Sequence, residues 1–341
     1  MSKKKKIIIA VLLIVIFALC FIPPKSNNST NRLEIVSSYG DNQAYHPKVL
    51  AFKEKWNGYK YWLSYTPYPE GTDSKENPHI AVSNDLINWK APGDNVNPID
   101  TPEETIPGKK YNSDSHIVYN NDTNTMFCYW RYVDDVNNKV YIYRKESKDG
   151  ANWTNKIVTA YAEKRTEKDY ISPAIIYENG LYKMWYVDKK NVVKYAISND
   201  GIKWKDEATI EIKYNKKLKT WHLDVIHTRK KYEMIVVAYN KWENRNDMDL
   251  YYTNSDDGIE WNEAKTIIKP SKKTKNWDNK GIYRSSFIYE NGKYYVFYGG
   301  TDKEYRHGVG FVYGKDIFNL HSVNTDFKDK KEVNKLIEKI K

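Results

Sequence analysis

Most of the chain alternates short hydrophobic and aromatic runs with short polar turns, a pattern typical of β-strands joined by hairpins. The turn sequence Ser-Asn-Asp-Leu-Ile-Asn-Trp at 83–89 returns three times in the form Ser-x-Asp-Gly-x-x-Trp. These copies begin at Ser147, Ser198 and Ser255, at intervals of 64, 51 and 57 residues, and a degenerate fifth copy begins at Gly314. The pattern therefore predicts five repeats.

A hairpin motif precedes each of these turns. The pairs Asn57-Gly58 and Asn291-Gly292 lie between aromatic β-runs, and Asn-Gly is a strong hairpin signal because both residues accept a positive φ. Each unit then contains four strands in about 50–60 residues, which is typical of a propeller blade. We predict an all-β fold, a five-bladed β-propeller over residues 33–324. The Ser and Asp of each turn are expected to cap backbone N–H groups, and the Trp to pack between blades.

The N-terminal segment has a different pattern. Residues 3–6 are four lysines, and an apolar run over residues 7–22 follows them, as in a secretory signal or a membrane anchor. We interpret residues 1–24 as an anchor in the cytoplasmic membrane and residues 25–32 as a linker, and we expect an extracytoplasmic body. There are two alternatives. The segment is a cleaved signal and the protein is secreted, or the protein is a lipoprotein modified at Cys20.

The C-terminal segment 325–341 places Val333, Leu336, Ile337 and Ile340 at helical spacing. This spacing predicts a short amphipathic helix. We expect the apolar side of this helix to pack against the propeller.

Charge and cysteine content exclude several classes of protein. The formal net charge is +11, but residues 3–6 and the lysine-rich tail 328–341 carry most of it. The rest of the chain therefore carries too little net positive charge to indicate a nucleic-acid partner. Beyond the N-terminal apolar run Cys128 is the one cysteine, which excludes a disulfide scaffold and a cysteine-rich metal site. We expect a monomer.

Polar residues recur at the start of the first strand of each predicted blade, the strand that lines a propeller's channel. Aligned on their hairpins, these strands give one column of His46, Asp114, Ser172, His222 and Arg284, and a second of Lys48, His116, Ala174, Asp224 and Ser286. Because residues two apart in a strand face the same side, we expect a polar funnel at one mouth. The alternative is a solvated channel whose polar groups bond to one another and to trapped water.

Asp114, Asp224 and Glu76 are the candidate catalytic residues, since a carboxylate pair in an aromatic-rich pocket suits cleavage of a glycosidic bond. Glu76 belongs to a long loop after the second strand of blade one, and long loops on a rigid scaffold often carry function. The candidate substrate-binding residues are His46, His116, Ser172, Trp221, His222, Tyr283, Arg284 and His307. We also expect Tyr65 and Trp130 to be exposed aromatic residues that stack on sugars.

A metal ion is a second possible use of the funnel. The candidate ligands are His46, His116, His222, Asp114 and Asp224. They come from different blades and match no local zinc motif. We therefore expect no metal and no cofactor.

The repeats, the Asn-Gly hairpins, the Ser-x-Asp-Gly-x-x-Trp turns and the strand-initial His46 before a proline resemble the five-bladed propeller glycosidase superfamily. That group includes arabinanases and xylosidases, invertases and levansucrases, and mannoside phosphorylases. In the arabinanase-like pattern, an Asp directly before the blade-one Pro is the general base, and a Glu two residues before the blade-three Pro is the acid. These positions hold His46 and Ile171 here. The blade-two Asp of that pattern falls at His116, and the invertase-like Arg-Asp falls at Ser113-Asp114.

Together with the expected export and the polar funnel, the propeller favours a surface-exposed glycoside hydrolase or transglycosylase that acts on a cell-envelope or exported polysaccharide. Because no triad transfers intact, either the site is rebuilt from Glu76, Asp114 and Asp224 or catalysis has been lost. The second case leaves a non-catalytic carbohydrate-binding propeller, and a protein-interaction scaffold is a third alternative. The expected partners are a polysaccharide or oligosaccharide and, through the N-terminal segment, the membrane.

Overall fold

The computed structural model describes residues 31–228, 231–241, 247–273, 276–325 and 330–340. The predicted membrane anchor and nearly all of the predicted linker lie outside the described residues. Within the described part of the chain, no helix is long and apolar enough to cross a membrane.

Five antiparallel sheets make up the described fold, which confirms the predicted all-β five-bladed propeller. The strands, blade by blade, are β1 (Ala44–Trp56), β2 (Tyr59–Pro67) and β3 (His79–Ser83); β4 (Lys110–Asn120), β5 (Thr125–Asp134), β6 (Lys139–Ser147) and β7 (Ile157–Ala162); β8 (Ile171–Glu178), β9 (Leu181–Val187), β10 (Val193–Ser198) and β11 (Lys205–Ile210); β12 (Lys219–Thr228), β13 (Lys231–Tyr239), β14 (Asp249–Ser255) and β15 (Lys265–Ile268); β16 (Gly281–Glu290), β17 (Lys293–Thr301), β18 (His307–Gly314) and β19 (His321–Ser322).

Blade one departs from the predicted four strands. Its sheet contains β1, β2 and β3, and the segment after the turn forms a single bridge between Val82 and Lys90. The next residues include Pro92 and Gly93. Proline has no N–H to donate and glycine has no side chain to pack, so the ladder does not continue.

The repeated turns have the predicted hydrogen bonds. In blade two, Ser147 Oγ accepts from the backbone N–H of Gly150 at 2.7 Å. Asp149 Oδ1 accepts from the backbone N–H groups of Ala151 and Asn152, at 2.9 and 2.7 Å. The tryptophan that ends this turn donates its ring N–H to the carbonyl of Gly150 at 3.2 Å. The aspartates of these turns are therefore structural, as the sequence predicted.

Glycine in these turns lets an aromatic residue of the preceding blade approach the backbone. Gly150 has φ +76°, and a Cβ there would lie 2.0 Å from the ring of Trp62 in blade one. A Cβ at Gly201 would lie 2.5 Å from the hydroxyl of Tyr129 in blade two. The hydrophobic core lies between neighbouring sheets, as in the cluster that joins blades one and two and the cluster that joins blades two and three.

Every inner strand has a register irregularity near its start. The breaks lie between Tyr45 and Lys48, Ser113 and His116, Ile171 and Ala174, Thr220 and His222, and Tyr283 and Ser285. His46, Asp114 and Ser172 lie in these bulges with φ near +50°. Bulges redirect side chains, and positive φ in residues other than glycine is concentrated at functional sites.

Residues from both ends of the described chain meet at blade five. The backbone N–H of Leu33 donates to Val309 at 2.8 Å, and that of Phe311 donates to Asn31 at 2.8 Å. Residues 31–33 therefore run beside β18 and close the ring. We refer to this pairing as the latch.

The predicted C-terminal helix is confirmed as α1 (Lys330–Ile340). Leu336 and Ile340 are buried in the same hydrophobic cluster as Tyr295 and Val323. The hydroxyl of Tyr295 donates to the carbonyl of Ile340 at 2.9 Å. The helix thus packs against the outside of the propeller rather than extending from it.

Candidate active site

Three side chains from three blades converge at one end of the channel. Ligand-type atoms of His46, Asp114 and His222 all lie within 4.8 Å of one another. His46 and Asp114 lie in the bulges of β1 and β4, and His222 directly follows the irregularity in β12. All three residues are buried, His222 with 4% of its surface exposed. We call these three residues the triangle.

His222 lacks the partners that a buried histidine normally has. Both of its ring nitrogens are buried without a hydrogen bond among the described residues. Nδ1 lies 3.4 Å from Oδ1 of Asp114. At this distance the two residues form an ion pair only if the ring is protonated. Burial lowers the pKa of His222 well below its usual range, although Asp114 acts in the opposite direction. The imidazole is therefore neutral and has unused ligand capacity.

Glu76 forms the side of the site next to His46. Two short 3-10 turns, Pro69–Gly71 and Asp73–Lys75, bring it back to the channel after β2. Its Oε1 lies 3.0 Å from Nδ1 of His46 and accepts from Ser113 Oγ at 2.9 Å. Burial raises the pKa of Glu76, while His46 and Ser113 partly offset that shift.

His46 has one ring nitrogen engaged and one available. Nδ1 lies 2.7 Å from Oγ1 of Thr66 as well as next to Glu76. Since both contacts use Nδ1, Nε2 is the atom that remains for a ligand. A carboxylate on the far nitrogen of an imidazole also fixes its tautomer and orientation.

Asp114 is a buried carboxylate among cations. Burial alone would raise its pKa, but neighbouring positive charge, to which the guanidinium groups of Arg284 and Arg131 contribute, outweighs burial and holds the pKa of Asp114 below its usual range. Oδ1 lies 3.5 Å from a guanidinium nitrogen of Arg284, and Oδ2 accepts from the backbone N–H of Ser172 at 3.1 Å. Asp114 is therefore ionised and fixed in position.

His116 and Arg284 lie behind the triangle. Nε2 of His116 lies 2.9 Å from the carbonyl of Ile175, and a guanidinium nitrogen of Arg284 lies 3.4 Å from Nδ1. Burial, followed by Lys48 and Arg284, lowers the pKa of His116 well below its usual range. His116 is neutral and has a partner at each nitrogen, so its contacts are those of a structural residue.

Asp224, the other proposed acid, has a different environment. Lys48 Nζ lies 2.7 Å from its Oδ1, and both side chains are buried. The second oxygen, Oδ2, has no hydrogen bond among the described residues. The contacts of Asp224 thus form a buried ion pair, and the geometry gives no direct support to a carboxylate pair with Asp114.

Aromatic residues form the wall above the triangle. The rings of Tyr45 and Tyr283 are nearly parallel with centroids 5.0 Å apart, and His222 lies 4.4 Å from Tyr283. The ring N–H of Trp221 donates to the hydroxyl of Tyr283 at 2.9 Å. His307 packs against Tyr45 at 4.5 Å. Tyr283 and Trp221 are partly exposed, so they can offer ring surface to a ligand.

Two aromatic predictions are wrong. Tyr65 and Trp130 were expected to be exposed, yet both are fully buried. They lie on second strands, where the neighbouring layers cover them. Trp130 packs against Trp62, and its ring N–H donates to Asn112 at 3.1 Å.

Several residues at the site were missed from the sequence. Tyr45 and Ser113 lie next to predicted positions, and the bulges turn them toward the site. Arg131 lies 4.0 Å from Asp114 and binds Asp169 through two nitrogens at 2.9 and 2.7 Å. This pair joins β5 to the loop before β8, and no local motif marks it.

Comparisons with known proteins agree with the fold. No protein-family model matches the chain. An A type blood N-acetyl-alpha-D-galactosamine deacetylase from Flavonifractor plautii is 29% identical over 304 residues, which cover 75% of this chain and 39% of the length of that curated relative. The chain therefore spans well under half of that protein.

Solved structures give the same fold. The crystal structure of an N-acetylgalactosamine deacetylase from F. plautii, in complex with blood group B trisaccharide, matches with a TM-score of 0.75 and 24% identity, covering 84% of this chain and 95% of that one. An exo-1,5-alpha-L-arabinanase from a bovine ruminal metagenomic library matches with a TM-score of 0.56 and 16% identity, covering 84% and 94%. The chain is therefore a five-bladed β-propeller, as its repeats predicted, and it shares this fold with an N-acetylgalactosamine deacetylase and an arabinanase.

Proposed function

We propose that the chain is a metal-dependent deacetylase that removes acetyl groups from N-acetylated sugars of a glycan. The observation that carries this proposal is the triangle. Among the residues that the structure describes, none forms a hydrogen bond with the buried, neutral ring of His222, which lies beside an ionised Asp114 and close to a ring nitrogen of His46. The sequence-based expectation of no metal relied on the absence of a local zinc motif. Such a motif is not expected when the ligands come from three different blades.

The residues of the triangle fit a divalent metal ion. Two imidazoles and one carboxylate, with other positions left open, form a common site for a catalytic transition metal. Metal ligands must be neutral imidazoles and ionised carboxylates, the states that burial and neighbouring charges give His222 and Asp114. A buried polar group without a partner costs about 1–3 kcal/mol, and a bound metal removes that cost.

A divalent ion at this place would polarise the acetamide carbonyl and lower the pKa of water. Glu76 is placed to accept the proton of the attacking water. Oε1 is held by His46 and Ser113, so Oε2 is the oxygen left to take it. The water oxygen bonds to the carbonyl carbon, and Glu76 returns the proton to the amide nitrogen. The C–N bond then breaks, which leaves acetate and a free amine. Tyr283 and Trp221 offer ring surface to the sugar.

The relatives support the choice of a glycan substrate. The deacetylases among them are named for N-acetylgalactosamine. We also propose that the protein acts outside the cytoplasmic membrane on a cell-envelope or exported polysaccharide, and that it is a monomer. Support for this location comes from the lysines at 3–6 and the apolar run at 7–22.

A glycoside hydrolase is the second candidate. Glu76 and Asp114 both lie against His46 in one chamber, and two carboxylates are the minimum for glycoside cleavage. In this reaction Glu76 would protonate the leaving oxygen. A propeller that binds glycan without cleaving it is the remaining alternative.

The test uses the full-length chain, stripped with a chelator and reloaded separately with Mn²⁺, Co²⁺ or Zn²⁺. An oligosaccharide that ends in N-acetyl-α-galactosamine is followed for acetate, free amine and new reducing ends. We expect acetate release that disappears on chelation, returns with metal and falls at least about a hundredfold in His222→Ala. His321→Ala, which alters an exposed histidine of β19, serves as the matched control.

Other outcomes decide between the alternatives. New reducing ends without acetate would support the glycoside hydrolase. Acetate release that survives both chelation and His222→Ala would refute the role of the triangle. Retention of glycan without any product would identify a binding propeller.

A further inference from the structure

Blade two has a row of tyrosines on its outer strands. Tyr132 of β5 pairs in register with Tyr141 of β6, and Tyr141 pairs with Tyr161 of β7. Tyr143 follows on the same face of β6. The ring centroids of Tyr141 lie 5.9 Å from those of Tyr143 and 6.4 Å from those of Tyr161, with planes within 14° and 23° of parallel. We call these four residues the tyrosine platform.

The tyrosine platform is accessible. Tyr161 is 55% exposed, and the other three tyrosines are partly exposed. Val136, Ile157 and Val158 of the same blade are also among the exposed large hydrophobic residues of the described chain. Contiguous exposed apolar surface on a soluble domain commonly marks a binding site.

Polar groups border the tyrosine platform on the side of the loop before β4. Lys156 Nζ lies 5.1 Å from the ring centroid of Tyr143 and 3.1 Å from Asp100. Lys145 Nζ lies 3.0 Å from the same carboxylate. The hydroxyl of Tyr132 donates to the carbonyl of Glu104 at 3.3 Å. Acidic and basic groups alternate along this border, so it has no strong net charge.

A cavity of about 170 Å³ lies between this border and the rings of Tyr132 and Tyr143. This volume is several times the minimum that a single water needs, so a group larger than one water can enter. Its walls also include Glu103, Glu104, Asn112 and Lys156. The tyrosine rings can stack on the C–H face of a sugar, and the hydrogen-bond donors and acceptors beside them can bind its hydroxyl groups.

We propose that the tyrosine platform is a second carbohydrate-binding site, which holds neutral glycan chains away from the triangle. The balanced border argues against an anionic membrane surface, which requires clustered lysine or arginine. Asn112 connects the two regions, because it lines the cavity and lies on β4 two residues before Asp114. The platform retains a polymer near the central site, whichever reaction that site performs.

The test is affinity electrophoresis of the full-length chain through gels that contain arabinan or β-1,3-galactan. Wild type is expected to be retarded in at least one of these neutral polymers. Tyr141→Ala combined with Tyr161→Ala is expected to weaken retardation by about tenfold. Phe318→Ala, which removes a similarly exposed aromatic residue from blade five, is the matched control and is expected to behave as wild type.

Two further measurements separate this site from the triangle. His222→Ala is expected to keep full retardation, and the double tyrosine variant is expected to keep wild-type turnover of a short oligosaccharide. Tyr161→Ala alone, at the most exposed position, replaces the double variant if that one does not fold. The proposal is overturned if neither polymer retards wild type, if the tyrosine variants run as wild type, or if His222→Ala abolishes retardation.

Discussion

Nδ1 of His46 and Oε1 of Glu76 lie 3.0 Å apart at the mouth of the channel. One residue lies in a strand bulge and the other on the long loop of the same blade. The contact constrains the imidazole of His46 through Nδ1, in a site where ligand-type atoms of His46, Asp114 and His222 lie within 4.8 Å of one another. It also leaves one oxygen of Glu76 without that constraint. In the proposed reaction, this single contact would orient a metal ligand, His46, and position a proton acceptor, Glu76.

Glu76→Gln tests this arrangement. The amide keeps the size of the side chain but cannot take a proton, so we expect acetate release to fall by about 10²–10⁴. Metal content after reloading with excess metal should stay unchanged, because the amide oxygen of the glutamine can still accept a hydrogen bond from Nδ1 of His46 and keep the ring in place. Activity and metal content are measured on the same preparation. Glu260→Gln, at an exposed turn of blade four, is the control. A variant that loses its metal together with its activity would contradict the assigned role.

The ion pair of Lys48 and Asp224 leads to a second prediction. Lys48→Met leaves a buried charge unpaired, and we expect a loss of about 3–5 kcal/mol in the free energy of unfolding. Adding Asp224→Leu should recover most of that loss, because replacing both partners of a buried pair is often nearly neutral. Urea unfolding measures both effects.

Activity of that double variant decides the role of Asp224. If Asp224 only supports the fold, the double variant deacetylates at close to the wild-type rate. A stable double variant without activity would restore Asp224 as a catalytic residue.

The turn glycines provide a matched pair for stability. Gly150 and Gly180 have φ of +76° and +77°, but a Cβ meets Trp62 at Gly150 and nothing within 4 Å at Gly180. Gly180→Ala should cost about 1–2 kcal/mol from the left-handed backbone alone. Gly150→Ala should cost a further 1–3 kcal/mol, roughly, from overpacking. Thermal and urea unfolding measure the loss of unfolding free energy in each variant. Equal losses in the two variants would show that the Trp62 ring can move to make room for the added methyl group.

His79 predicts a dependence of stability on pH. Burial lowers the pKa of this histidine to about 4, against about 6.5 for an exposed one. Between those values the unfolded chain binds the extra proton, so stability falls as pH drops through this window, by about 3 kcal/mol in total. We expect the melting temperature of His79→Gln to fall less than that of wild type between pH 7 and pH 4.5. An identical fall in both proteins would exclude the contribution of His79, and His321→Gln is the control.

The fold was readable from the sequence because its signals are local. Each Ser-x-Asp-Gly turn forms its hydrogen bonds within a few residues, and each Asn-Gly pair fixes a hairpin. The fourth strand of blade one was predicted wrongly because pairing also depends on Pro92 and Gly93, which follow the motif. Tyr65 and Trp130 were misplaced because strand alternation does not tell which face a neighbouring blade covers.

The candidate site was only partly readable. Aligning the inner strands brought His46, Asp114 and His222 into one column, and the structure places them together. Their geometry as a triangle depends on bulges and on the positions of whole blades, which no local pattern encodes. The pairing of Lys48 with Asp224 and of Arg131 with Asp169 likewise arises between distant segments.

The latch has a consequence for how the molecule is completed. Residues 31–33 are made early and residues 309–311 late, so the ring stays open until nearly the whole described chain has left the ribosome. The channel mouth takes side chains from β1, β4, β12 and β16, and the last of these belongs to the blade that the latch holds. A chain that stops before blade five therefore has His46, Asp114 and His222 in its sequence but neither Arg284 behind Asp114 nor Tyr283 above it. The blade that closes the ring is thus also the blade that supplies the last residues of the site.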